Sequence, residues 1–226
     1  MSTATTATDF TVPLIGGRAH FLLRRLHSLT GLVFGGYLIV HLLVNATIAQ
    51  GGIVYQTQVN KIHDLPFLPV IEWTFIYLPI LYHTIYGIWI TLTGQPNVAQ
   101  YPYGKNIFYT LQRASALVIV VFMFFHVLSL KYGVFGLNLS FDPHRALPTV
   151  AQHMHYRGWI TWGLYPIGIL ASCYHLANGF WTAAITWGLT ISAAAQRRWG
   201  YVCFGLFALT LVAGIVALVA AANLKP

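Results

Sequence analysis

Charge is what this sequence has least of. Only 7% of its 226 residues are Asp, Glu, Lys or Arg, whereas soluble globular chains carry about 25%. A water-facing surface cannot be made from so few charges, so a soluble domain is excluded. Cysteine is scarce too: Cys173 and Cys203 both lie inside apolar runs, which excludes a disulfide framework. The first ten residues, MSTATTATDF, have neither a basic stretch nor an apolar core, so no cleaved signal is expected. Twelve basic residues less four acidic ones give a net charge of +8. With no Lys/Arg cluster and no nucleic-acid motif, that excess points to membrane edges and anionic lipid, not to nucleic acid.

What is present is apolar surface: 57% hydrophobic residues and a mean hydropathy of +0.66. A membrane-crossing helix needs roughly 20 mainly apolar residues. Windows of that kind run from about Ser28 to Ala49, Val70 to Thr93, Leu111 to Leu130, Gly158 to Leu176 and Gly200 to Ala222, the fourth extending to about Ala184. Gly51-Gly52, Asp64-Leu65-Pro66, Gly94-Gln95-Pro96-Asn97 and Asp142-Pro143 punctuate the connections. No internal repeat is visible. The expectation is an all-α membrane protein, one domain over residues 1–226, with five transmembrane helices. Arg18, Arg24, Arg25, Lys105, Arg113, Arg197 and Arg198 then share one side, and Lys61, Lys131, Arg145, Arg157 and Lys225 the other. The bias favours a cytoplasmic N-terminus.

Ten histidines stand out in so apolar a chain. His41, His83, His126 and His175 fall one on each of the first four windows, and ionisable groups at membrane depth default to a functional reading. The plain alternative for each is a neutral imidazole bonded to a backbone carbonyl. At about 1.5 Å per residue, His41 and His126 lie roughly 20 Å from the inner ends of their spans, while His83 and His175 lie roughly 20–25 Å from the outer edge. They sort into two layers, each drawing one histidine from each of two helices. That is the geometry of two bis-histidine haems stacked in a four-helix bundle. Gly31, Gly35, Gly36, Gly87, Gly163 and Gly168 would let helices, or a flat macrocycle, approach closely. A pattern with two histidines 13–14 residues apart on each of two helices is met by His27 and His41 alone and is rejected. His27, beside Arg24 and Arg25, suits a haem propionate or a quinone head group; a plain interfacial residue is the alternative.

These residues carry a resemblance. Arg24-Arg25-Leu26-His27-Ser28-Leu29, His41-Leu42-Leu43-Val44-Asn45, Leu78-Pro79-Ile80-Leu81-Tyr82-His83-Thr84-Ile85-Tyr86-Gly87 and Phe125-His126-Val127 are joined by His175-Leu176-Ala177-Asn178-Gly179-Phe180-Trp181. Together they resemble the single-chain, di-haem cytochrome b membrane anchor of succinate dehydrogenases and fumarate reductases, over about residues 20 to 205. The resemblance implies that His83 and His175 ligate a proximal haem b and that His41 and His126 ligate a distal one. It also implies an electron path to a quinone, menaquinone in this family, and a bacterial plasma-membrane location. Flavoprotein and iron–sulfur subunits would be partners, and the family leaves room for a trimer of complexes. Some relatives carry a glutamate, linked to proton transfer, two residues before the fourth histidine. Here that position is Cys173, which argues against proton movement by that route.

For the quinone, Glu72 is the first candidate, followed by His63, with Asp64 and Trp73 beside them. The alternative for Glu72 is a charge at a helix N-terminus. Arg24, Arg25 and Arg113 could pair propionates, dock the iron–sulfur subunit or meet lipid. His144, His153 and His155 fall in a long connection that reads as a solvated loop, although His153-x-His155 could bind a metal. Trp73, Tyr101, Tyr103, Trp159, Trp162, Trp199 and Tyr201 read as interfacial anchors. Two rival readings are a histidine-lined transporter or proton channel without haem, and an iron–sulfur cluster near Cys173 in place of one haem.

Overall fold

The computed structural model describes residues 17–94, 98–134 and 140–225. Gln95-Pro96-Asn97 and the first residues of the chain lie outside that range. The fold is helical: α1 Gly17–Ala46, α2 Gly52–His63, α3 Leu68–Glu72, α4 Leu78–Thr93, α5 Gly104–Tyr132, α6 Ala146–His155, α7 Tyr165–Thr186 and α8 Ala193–Ala222. A π turn, Trp73–Tyr77, joins α3 to α4, and a second, Ile160–Leu164, precedes α7. Each lies just ahead of a proline, Pro79 or Pro166. A proline donates no N–H to the residue four before it, and a widened turn absorbs the gap.

Among the described residues, four stretches are long and apolar enough to cross a membrane: Gly17–Gln50, Leu68–Thr93, Gly104–Tyr132 and Ala193–Ala222. The fourth expected window, Gly158 to Leu176, is the one missing from these four; it corresponds to α7, whose Tyr174, His175 and Asn178 dilute its hydropathy. It also has more buried residues than any other long helix. α7 packs against α1, α5 and α8, and a helix with so much of its surface turned to protein tolerates those polar groups. Helices α1, α5 and α8 begin well before the hydrophobic windows because the chain keeps its helical bonding through the polar edge of the membrane.

α1 packs on α4, α7 and α8, while α5 packs on α7 and touches α4. α1, α4, α5 and α7 therefore form a closed ring of four, with α8 laid over α1 and α7. In that ring α1 lies diagonally opposite α5, and α4 opposite α7. Leu81, Val121, Phe124, Leu170, Phe204 and Leu209 are exposed on the outside, as a lipid-facing surface requires. α2 and α6 close one end, hereafter the cap end, where α6 rests on α2 and α8.

The cap corrects the reading of residues 144–155 as a solvated loop. α6 buries Ala146, Val150, Ala151, His153 and Met154, and His144 and Arg145 lie in the short turn before it. Its period of apolar residues was hidden by the polar Gln152, His153 and His155 between them. Gly51 (φ +115°) and Phe67 (φ +57°) carry the turns that bound α2.

Candidate haem-binding bundle

His83 on α4 and His175 on α7 face each other across one diagonal, with ring centroids 6.1 Å apart and planes at 88°. His41 on α1 and His126 on α5 do the same across the other, at 5.9 Å and 88°. The second pair is nearer the cap end, because α1 and α5 both run toward it and carry their histidines late. Metal–imidazole bonds of about 2 Å put the centroids of two rings on opposite sides of one metal about 6 Å apart. Among the described residues no three His, Cys, Asp or Glu side chains converge on a metal position. A metal held by either pair must bring further ligands with it, as a macrocycle does.

The ring nitrogens of His83 and His175 are arranged to match, whereas at His41 the Asn45 amide lies 3.5 Å from Nε2. His83 Nδ1 bonds the His27 carbonyl at 2.9 Å and His175 Nδ1 the Gln112 carbonyl at 3.1 Å. His126 Nδ1 meets the Tyr165 hydroxyl at 3.2 Å, and His41 Nδ1 the Tyr37 hydroxyl at 3.4 Å. A carbonyl can only accept, so Nδ1 of His83 and of His175 carries the proton and Nε2 keeps its lone pair for a metal. The side-chain amide of Gln112 donates to the His175 carbonyl at 3.1 Å and accepts from Asn178 at 2.8 Å, which clamps α5 to α7 at this level.

Glycines make the close approaches possible. A Cβ on Gly31 would lie 2.5 Å from His83 Cε1, and one on Gly87 would lie 3.2 Å from His27 Cε1. A Cβ on Gly35 would lie 2.6 Å from Leu176, and one on Gly168 would overlap the Phe122 ring. Phe122 in turn stacks on His126, centroids 5.4 Å apart. Gly36 and Gly163, expected to act alike, have nothing within 4 Å.

The remaining candidates divide. His27 is not at an interfacial edge: its ring lies flat on His83, and its Nδ1 is buried without a hydrogen-bond partner. Arg25 lies over the Phe21 and Trp187 rings and Arg24 is exposed. The Arg113 guanidinium donates to the Ile90 carbonyl and covers the Tyr109 ring. Glu72 forms an ion pair with Lys131 at 3.7 Å, and Lys131 also donates to the Tyr77 hydroxyl. Trp73 packs against Tyr77 at 5.3 Å. His63 instead packs against Phe141, and Asp64 is exposed at the end of α2. Lys131, Tyr77, Tyr37, Tyr165 and Gln112 were missed as site residues. Single tyrosines, a glutamine and a lysine in or beside spans carry no pattern, and only the fold puts them beside a histidine or Glu72. Cys173 is buried against Thr210 of α8, and both cysteines are free thiols.

No protein-family model matches the chain. The succinate dehydrogenase cytochrome b558 subunit of Bacillus subtilis (strain 168) is 32% identical to it over 208 residues, 91% of this chain and 99% of that protein. The chain belongs to the succinate dehydrogenase cytochrome b subunit family. Membership accounts for the apolar exterior, since a cytochrome b anchor of this kind is an integral membrane protein. At the end away from the cap, the anchor also holds a cavity of about 340 Å³ between α5, α7 and the start of α8, lined by Lys105, Phe108, Gln112, Asn178, Trp181 and Gln196.

Proposed function

We propose that this chain is the membrane-anchor and electron-transfer subunit of a succinate:quinone oxidoreductase. It would cross a bacterial plasma membrane five times with its N-terminus in the cytoplasm. It would carry electrons from an iron–sulfur subunit, fed by a flavoprotein subunit, to a quinone, menaquinone by family resemblance. The single observation that carries the reading is the double diagonal pairing, His83 with His175 at 6.1 Å and His41 with His126 at 5.9 Å, a spacing at which each pair would hold one haem.

The residues fit haem b at both levels. The orphaned Nδ1 of His27 offers a buried donor for a propionate. All four imidazoles keep accessible surface although each lies deep among protein atoms, which is what rings facing an internal cleft look like. Bound haem supplies a one-electron carrier at each pair. The protein's part is to hold the ligands, fix which nitrogen bears the proton, and exclude water. His83 and His175 would ligate the haem facing the iron–sulfur subunit, with His27, Arg24, Arg25 and Arg113 on that side. His41 and His126 would ligate the other, at the cap end. There Glu72, held by Lys131 and beside Trp73 and Tyr77, gives a quinone a proton source next to aromatic surface. His63 and Asp64 sit farther along the same edge.

The test is a pyridine haemochromogen assay on protein purified from membranes, with His83→Ala and His126→Ala beside the wild type. Two b haems per chain, with each variant losing one, is the expected result. A well-folded protein with no haem would overturn the proposal and put the histidine-lined transporter in its place.

A further inference from the structure

Of the groups that nothing above uses, His153 is the one with a defined connection to the histidine pairs. It lies on α6, outside the spanning helices, yet is only 6% exposed. Its Nε2 is 2.8 Å from the Tyr165 hydroxyl, and that hydroxyl is 3.2 Å from His126 Nδ1. Phe125 packs against the His153 ring at 6.3 Å. A three-member polar chain therefore runs from a histidine of the bundle interior to the cap.

We infer that His153 is a positioning residue for His126, acting through Tyr165 to set the electron-donating strength of that ligand. The inference rests on the reading of His41 and His126 as haem ligands. An imidazole that ligates through Nε2 carries its proton on Nδ1, so His126 donates to the Tyr165 oxygen. A phenol has one proton, and it must go to the remaining partner, His153 Nε2. Burial holds the His153 pKa down at about 4, so its ring is neutral and can accept. The direction of the chain is thereby fixed: His126 to Tyr165 to His153. A hydroxyl that donates is a better acceptor in turn. It draws the His126 proton outward, makes the imidazole more anionic, and favours the oxidised metal. At the other pair the Nδ1 protons of His83 and His175 go to backbone carbonyls, and the Ser115 hydroxyl 3.3 Å from His175 Nδ1 gives its proton to the Gln112 carbonyl, so no second imidazole ends that chain.

The experiment is a spectroelectrochemical titration of the two b haems in His153→Leu, His153→Gln and Tyr165→Phe, with haem counted in each. His153→Leu and Tyr165→Phe should raise the midpoint potential of one haem, the one lost in His126→Ala, and leave the other unmoved. His153→Gln keeps an acceptor oxygen and should stay near the wild type. Unchanged potentials in His153→Leu would overturn the inference, whatever Tyr165→Phe does. So would equal shifts of both haems, or a Gln variant shifted as far as Leu, since either marks general loosening. If His153→Leu loses haem, His153→Phe, which keeps a ring but no acceptor, takes its place beside His153→Gln. A wild type without haem, or His126→Ala keeping both haems, would instead defeat the haem reading itself, and the haem count shows this before any potential is measured.

Discussion

The imidazole of His27 lies on that of His83 with ring centroids 4.0 Å apart and planes 9° from parallel, while the backbone carbonyl of His27 accepts the His83 Nδ1 proton at 2.9 Å. One residue of α1 thus fixes both the face and the edge of a histidine on α4. A stacked aromatic pair contributes about 0.5–1.5 kcal/mol beyond its buried area. His27→Phe keeps the stack and the carbonyl but removes Nδ1; His27→Ala keeps the carbonyl alone. If His83 and His175 hold a haem as proposed, its thermal release should come at the highest temperature in the wild type, then Phe, then Ala. Release of the other haem should not change. An Ala variant with the wild-type release profile would refute a role for the stack.

The glycines give a layer-specific test. Gly31→Ala forces a methyl group against His83, and Gly168→Ala forces one against Phe122, which stacks on His126. The first should deplete the His83–His175 haem and the second the His41–His126 haem, each leaving about one haem per chain. Gly36→Ala, with open space around it, should keep both. Haem per chain measured on the three variants decides.

Glu72 and Lys131 are partly exposed, so their ion pair contributes at most about 1 kcal/mol to stability. Its expected importance is chemical. Glu72→Gln should lower quinone reduction by about 100-fold, the usual order for losing a general acid, with both haems retained and electron delivery to a water-soluble acceptor unaffected. An unchanged quinone rate would remove Glu72 from the site and shift attention to His63.

His153 also makes stability depend on pH. Burial lowers its pKa from 6.5 to about 4, so the unfolded chain takes up a proton that the folded chain refuses. The sign follows: the full contribution is present above pH 6.5 and is lost as the pH falls toward 4. The difference amounts to about 3 kcal/mol. The thermal midpoint of the wild type in detergent should therefore fall between pH 7 and pH 4.5 by more than that of His153→Gln. Parallel curves would show that His153 is not buried as described.

Much of this was legible in the residues. Spans of about 20 apolar residues must be helical in lipid, since no other local structure satisfies their backbone groups. Depth along each span then sorts His41 with His126 and His83 with His175 by arithmetic alone. α7 is the instructive exception: the histidine and asparagine that identify its role dilute the hydropathy by which a span is recognised. What the sequence could not contain is lateral order. Which helices stand diagonally, that His27 turns inward onto His83 instead of toward the membrane edge, that Lys131 reaches Glu72 from 59 positions away, and that α6 brings His153 to Tyr165 all depend on contacts between separate segments. Periodicity and depth act along one helix at a time, so they set how far in each side chain lies; only packing between helices, through glycine contacts and shared hydrogen bonds, decides what it faces.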